Sequence, residues 1–117
     1  MTAREIFEKV KTSLLSQAES SKFNGKCFYR HPFDNLKCAI GHLIPDELYQ
    51  STIENCLVKQ LPDNILDHIL PDDFDRETGI SFLIEIQLIH DYWLVKNWER
   101  RFNEVEKEFF GVEIQGD

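Results

Sequence analysis

Cysteine and histidine side chains are the groups in this 117-residue chain best suited to chemistry. A thiolate nucleophile needs a nearby base, usually histidine, and that base needs a partner to orient it. Cys27 or Cys38 could supply the thiol, and His90 beside Asp91 could supply the oriented base. Gln87 joins them on one helix flank, because residues three and four apart are helical neighbours. The pattern predicts either a Cys–His site in a cleft or a polar trio that only links the helix to a neighbouring loop.

Metal binding is a second chemistry that the same side chains could support. Cys27, Cys38 and His42 have a C-x10-C-x3-H arrangement, and His90 could add a fourth ligand. Structural zinc sites usually contain paired cysteines two to four residues apart, a spacing this sequence lacks. We therefore expect no metal and no cofactor, with the thiols behaving as small buried side chains.

An acidic run at residues 72–79 resembles a calcium loop only in part. Asp73, Asp75 and Glu77 alternate as EF-hand ligands do. Counted from Asp73, however, position six is Thr78 instead of glycine, and position twelve is Ile84 instead of glutamate. The run is better interpreted as a loop that stabilises the start of the following helix through the helix dipole.

The charge of the chain is distributed unevenly. The net charge is −8, with eight basic and seven acidic residues in 1–62 against five and fourteen in 63–117. An acidic half repels phosphate backbones and attracts basic surfaces, so direct nucleic-acid binding is not expected. No apolar run is long enough for a membrane span, and the first residues do not resemble a signal peptide. We expect a cytoplasmic protein with reduced thiols.

Three helices are indicated by apolar spacing. Thr2 and Glu5 form a capping box ahead of an apolar stripe that runs to Leu15. Residues 80–95 are apolar almost all round, which is typical of a central buried helix. The last helix carries apolar residues at spacings of four, three and four from Trp98, and Gly111 is a natural stop. Its acidic and aromatic side chains suit either a plain amphipathic helix or an interaction surface.

The segment between the first helix and the middle of the chain is predicted to contain a small hairpin. Residues 27–30 and 36–40 are strand-like and flank a turn-rich loop at 31–35. Pairing Arg30 with Asn35 would place Cys27 opposite Cys38. Farther on, Ser51 and Glu54 form a second capping-box pattern, which predicts a short helix with the apolar residues Ile53, Cys56 and Leu57 facing inward.

Segment 38–49, Cys-Ala-Ile-Gly-His-Leu-Ile-Pro-Asp-Glu-Leu-Tyr, is similar to a motif of short, uncharacterised bacterial and phage proteins. Those proteins also tend to carry a Cys-x-Tyr-Arg-like segment, here 27–30, and a Gln-x-x-His-Asp element, here 87–91. The resemblance covers about half the chain, and residues 51–79 match nothing in it. It implies an origin class and no particular activity.

Together these patterns predict one domain spanning 1–117, of the α+β class but mostly α, with one small hairpin packed near a central buried helix. The leading hypothesis is a non-enzymatic bacterial or phage accessory protein that binds another protein or a second copy of itself. One alternative is a small cysteine-dependent enzyme using Cys38 or Cys27 with His90 and Asp91. The other is an acidic nucleic-acid mimic that blocks a basic cleft.

Overall fold

A computed structural model describes residues 1–111 of the chain. The fold is α+β and mostly α, as predicted. Residues 1–111 contain four helices: α1 (Ala3–Gln17), α2 (Asp63–Ile69), α3 (Arg76–Tyr92) and α4 (Trp98–Phe110). A two-stranded antiparallel hairpin, β1 (Lys22–Phe23) and β2 (Lys26–Cys27), follows α1. Short 3₁₀ turns occur at Ile40–His42, Ser51–Asn55, Val58–Gln60 and Val95–Asn97.

Helix α1 begins at the predicted capping box. The Thr2 hydroxyl accepts from the Glu5 amide at 3.1 Å, and the Glu5 carboxylate accepts from the Thr2 amide at 2.8 Å. This reciprocal pair satisfies two of the backbone donors that a helix start leaves open. The local sequence therefore fixes where α1 begins, and its buried apolar face then sets how α1 packs.

Helix α3 is the central element, and it packs against α1, α4 and two of the 3₁₀ turns. Its helical state confirms the prediction for this segment, although the helix starts earlier and ends earlier than residues 80–95. Four apolar side chains on its inner face are essentially inaccessible: Phe82, Leu83, Ile86 and Ile89. The opposite side is not buried, since Leu88 is 41% exposed and Tyr92 is 78% exposed. The expectation of an apolar helix buried on all sides is therefore wrong for one flank.

The acidic run ahead of α3 is held by the start of α1 and by α3 itself. Asp72 pairs with the N-terminal ammonium group at 2.9 Å, and Asp73 accepts from the Ala3 amide at 2.8 Å. Asp75 caps α3 by accepting from the Thr78 amide at 2.7 Å. Of these three carboxylates Asp75 alone caps α3, while Asp72 and Asp73 hold the start of α1. Residues 76–79, predicted as part of a loop, form the first turn of α3.

The hairpin forms at a different place from the one predicted. The strands meet around Asn24 and Gly25, whose φ angles of 52° and 77° suit a tight two-residue turn. The proposed pairing of 27–30 with 36–40 is reduced to one bridge between Arg30 and Lys37. Its register differs by two residues from the expected one, so Cys27 and Cys38 are not opposed. The Asn-Gly turn is the stronger local signal because both of its residues tolerate positive φ.

The second capping-box prediction is also wrong. Residues Ser51–Asn55 form a 3₁₀ turn in which no side chain caps the first backbone amides. Ile53 is buried as expected, but Leu57 is 63% exposed. Glu54 does not cap the turn, because its carboxylate binds the backbone amides of Tyr29 and Arg30. Over residues 1–111, no helix combines the length and apolar character needed to cross a membrane.

Candidate functional site

Three of the four predicted site residues lie together at the carboxyl end of α3. Ligand-type atoms of Cys27, His90 and Asp91 are all within 4.8 Å of one another. The hairpin supplies Cys27, and α3 supplies the other two. His90 is completely buried, whereas the Asp91 side chain remains 31% exposed. Hairpin and helix therefore meet around a polar group that borders solvent on the Asp91 side.

Hydrogen bonds fix the tautomer of His90. Its Nε2 lies 2.8 Å from the Ser21 amide nitrogen, which can only donate. Nε2 must therefore accept, and the ring proton sits on Nδ1, from where it donates to the Asp91 carboxylate at 2.8 Å. Nε2 thus joins α3 to the segment that precedes β1, while Nδ1 makes a bond within α3.

The Cys27 thiol lies within 4.8 Å of the Asp91 carboxylate and of a His90 ring nitrogen. Burial, reinforced by the negative charge of Asp91, raises the pKa of Cys27 to about 11. A reactive cysteine needs the opposite environment, one with a cation or a free base that stabilises the thiolate. The geometry therefore brings Cys27, His90 and Asp91 together in an arrangement that favours the neutral thiol.

The same three side chains do not suit a metal ion. With Nε2 facing the Ser21 amide, His90 could coordinate only through Nδ1. Coordination through Nδ1 would move the ring proton to Nε2, where it would oppose the Ser21 donor. A cation at this point would therefore cost the buried bond that holds the histidine.

Cys38 and His42 lie apart from this trio. Cys38 is fully buried and accepts from the Gly41 amide, and burial raises its pKa far above the ordinary range. His42 instead binds Gln17 of α1 at 3.1 Å, and burial together with the nearby Lys37 ammonium group lowers its pKa to about 4. The C-x10-C-x3-H arrangement therefore does not assemble as a ligand set.

Glu54 organises the other side of the site. Its carboxylate accepts from the backbone amides of Tyr29 and Arg30 at 2.8 and 3.1 Å, and from the Tyr49 hydroxyl at 2.6 Å. The Arg30 guanidinium group lies over the Tyr49 ring at 4.4 Å and pairs with Asp46 at 2.7 Å. No local sequence pattern signals this role, because Glu54 is 24 or more residues away from the amides that it binds.

The three segments that carry the resemblance pack against one another. Residues 27–30 contact segment 38–49 through the Arg30 pairs just described and through Gly41, which lies directly against the Tyr29 carbonyl. Gln87 then joins segment 38–49 to α3, since its Oε1 accepts from the Ile40 amide at 2.9 Å. Its Nε2 donates to Asp91 at 3.2 Å. The motif residues therefore build one connected structure.

A cleft of about 430 Å³ opens beside that structure. The hairpin and residues 28–29 form one side, residues 54–59 another, and the exposed flank of α3 the floor. Its polar and charged lining residues are Lys26, Glu54, Asn55, Lys59, Gln87 and Asp91, together with the thiols of Cys27 and Cys56. Its apolar walls are formed mainly by Phe28, Leu57, Val58, Ile84 and Leu88. A largely apolar cleft with a few convergent polar groups is the usual form of a binding site.

A thiol titration tests the environment of Cys27. A rise in pKa from 9.0 to about 11 lowers the thiolate fraction at neutral pH about a hundredfold, so we expect Cys27 to react with a chromogenic disulfide about that much more slowly than a free thiol. Mass spectrometry would identify the modified residue. Asp91→Asn should speed the reaction by removing the negative charge. Rapid modification of Cys27 below pH 8 would contradict this geometry and favour the cysteine-enzyme hypothesis.

Many carboxylates of the acidic half are engaged within the protein. Besides those at the start of α3, Asp63 and Asp67 lie next to Arg76, and Glu106 pairs with Arg4. Glu104 pairs with Arg101. A nucleic-acid mimic needs an array of free carboxylates on one face, and these internal pairs reduce the number that could serve.

Comparison of the chain with family models, with curated proteins and with solved structures finds no match.

Proposed function

We propose that this protein is a non-enzymatic, cytoplasmic binding protein, and that a side chain of a partner protein enters the cleft between β2, residues 54–59 and α3. A bacterial or phage origin, suggested by the motif, is part of the same proposal. The observation that carries it is an open cleft of about 430 Å³ with large apolar side chains left exposed on its rim.

The exposure of the rim supports this proposal. Leu57 and Leu88 both line the cleft, yet they are 63% and 41% exposed. Tyr92 lies one helical turn after Leu88 and is also exposed, so the apolar flank of α3 continues beyond the cleft. Contiguous exposed apolar surface bordered by polar groups is typical of interaction sites. Isolated exposed leucines would need no such explanation.

The protonation of Cys27 and the hydrogen bonds of His90 weigh against the cysteine-enzyme alternative. The Cys27 thiol is held neutral by burial and by Asp91, and both nitrogens of His90 are already bonded. Nucleophilic catalysis requires a base free to take the thiol proton. Binding requires none of these groups to change its protonation state.

Site-directed photocrosslinking tests the proposal. A benzophenone amino acid at position 57 should crosslink to a partner protein in native lysate, or to a second copy in the purified protein. The matched control carries the same group at Asn103, which is exposed on α4 and outside the cleft. Leu88→Gln should reduce the crosslink at position 57 roughly tenfold, the loss expected for a central apolar anchor.

Only a crosslink that depends on the cleft supports the proposal. Equal yields at positions 57 and 103, or a yield at 57 that Leu88→Gln leaves unchanged, would count against it. The thermal unfolding of each variant should be measured first, so that loss of folding is not mistaken for loss of binding.

A further inference from the structure

The Asp91 carboxylate is a partly buried negative charge at the edge of the cleft. It accepts hydrogen bonds from the Gln87 amide and the His90 ring, and the Cys27 thiol lies within 4.8 Å of it. His90 carries no proton on Nε2, so both of these donors are neutral. Within residues 1–111, no lysine or arginine nitrogen comes within 4.0 Å of this carboxylate.

A partly buried carboxylate with no lysine or arginine nitrogen within 4.0 Å can still form a strong bond with an added cation. Neutral donors stabilise its charge in part, but an ammonium or guanidinium group would form a stronger, charge-assisted bond. The exposed part of Asp91 lies on the cleft, where such a group could reach it. The cleft walls next to it are aliphatic, through Ile84, Leu57 and Leu88.

Long basic side chains combine these two properties. Lysine and arginine have aliphatic stems that pack on apolar surface while the charged end reaches a polar partner. Resting on the function proposed above, we propose that the cleft receives a lysine or arginine side chain of the partner protein, with its stem on Leu57 and Leu88 and its cation on Asp91.

Two lysines at the rim of the cleft affect which basic segments of a partner could bind there. The Lys26 ammonium group donates to Asn55 at 2.9 Å and lies 5.1 Å from the Phe28 ring, so it already has partners of its own. Lys59 is exposed at the same rim. Both would repel a segment made only of basic residues. A single basic residue with acidic neighbours fits the charge pattern better than a polybasic segment does.

Small probes separate the role of charge from that of apolar contact. Butylammonium and butylguanidinium ions represent the ends of the two side chains, and 1-pentanol is a neutral analogue of similar length. Binding can be followed from the backbone amide signals of Leu88 and Asp91 in two-dimensional NMR spectra. We expect either cation to bind about three- to tenfold more tightly than pentanol, the advantage of one charge-assisted bond near the surface.

Three variants identify the groups responsible. Asp91→Asn should abolish the preference for cations, while Glu85→Gln, which removes a carboxylate of α3 outside the cleft, should preserve it. Leu57→Ser is in an exposed position and should weaken all three probes alike, by about threefold, through lost apolar contact. Equal affinity for cations and pentanol in the unmodified protein, or a cation preference that survives Asp91→Asn, would overturn the inference.

The two proposals can fail separately. If position 57 crosslinks as expected but butylammonium binds no more tightly than pentanol, the partner does not present a basic side chain. Only this inference is then lost. If the cation preference depends on Asp91 but cleft-dependent crosslinks are absent, the cation site stands and the proposed protein partner does not.

Discussion

Replacement of Gly41 by alanine is expected to destabilise the protein by about 3 kcal/mol or more, because the new methyl group has no space. An ideal Cβ at this position would lie 2.0 Å from the Tyr29 carbonyl oxygen and 2.9 Å from its carbonyl carbon. Both are backbone atoms, so no side-chain rotation can relieve the clash. The Tyr29 and Arg30 amides are also fixed by Glu54, which prevents an easy shift of this segment.

Thermal or urea unfolding measures this cost. A loss of 3 kcal/mol corresponds to a fall in Tm of roughly 10–15 °C for a chain of this length. Gly25→Ala is the matched control, since its Cβ would meet nothing within 4 Å and its only penalty is a φ of +77°. That control should lose about 1 kcal/mol. Equal stability of the two variants would show that Gly41 does not touch the Tyr29 backbone.

The Gly41 prediction also concerns the cleft, because Tyr29 forms part of its wall. A Gly41→Ala protein that folds must displace Tyr29 and should bind butylammonium more weakly than the Gly25→Ala control. Close packing against residues 27–30 therefore requires a glycine at position 41, inside segment 38–49.

Replacement of His90 by phenylalanine is expected to cost about 2–3 kcal/mol, the penalty for leaving a buried backbone donor unpaired. Phenylalanine has a similar shape and can keep the contact with Trp98, whose ring centroid is 5.7 Å away. It cannot accept from the Ser21 amide or donate to Asp91. The loss therefore comes mainly from the hydrogen bonds, with a smaller part from fitting a larger ring into a fully buried site.

Urea unfolding of His90→Phe against the parent protein gives this value, provided the m-value is unchanged. The control is His68→Phe on the exposed surface of α2, which should change stability by no more than about 0.5 kcal/mol. If His90→Phe were as stable as the parent, the Ser21 bond would not hold the hairpin segment on α3. The assignment of His90 as a structural residue would then have to be abandoned.

These two residues show why the site combines structural and binding roles. Gly41 and His90 each hold a segment bordering the cleft, one through backbone contact and the other through a buried hydrogen bond. Asp91, next to His90, completes that bond network and still presents part of its carboxylate to the cleft. Gly41 and His90 therefore hold in place the segments around Asp91, the charged residue that we propose to bind the partner.

The sequence by itself determined where α1 begins and where α4 ends. The Thr2–Glu5 capping box, the apolar stripe of α1 and the Gly111 stop of α4 involve residues a few positions apart. Helical periodicity and capping are local interactions, so they can be recognised without knowing what packs against what. The predicted closeness of a cysteine to His90 and Asp91 also agrees with the geometry, although only Cys27 lies there.

Tertiary structure alone decided the pairings that shape the cleft. The Ser21–His90 bond joins residues 69 positions apart, and the Tyr29–Glu54 bond joins residues 25 apart. Glu54 matched a capping pattern, but two fixed backbone amides and the Tyr49 hydroxyl are its partners in the folded chain. Such partners depend on how helices and loops pack in three dimensions, and residue types and short spacings carry no information about that packing.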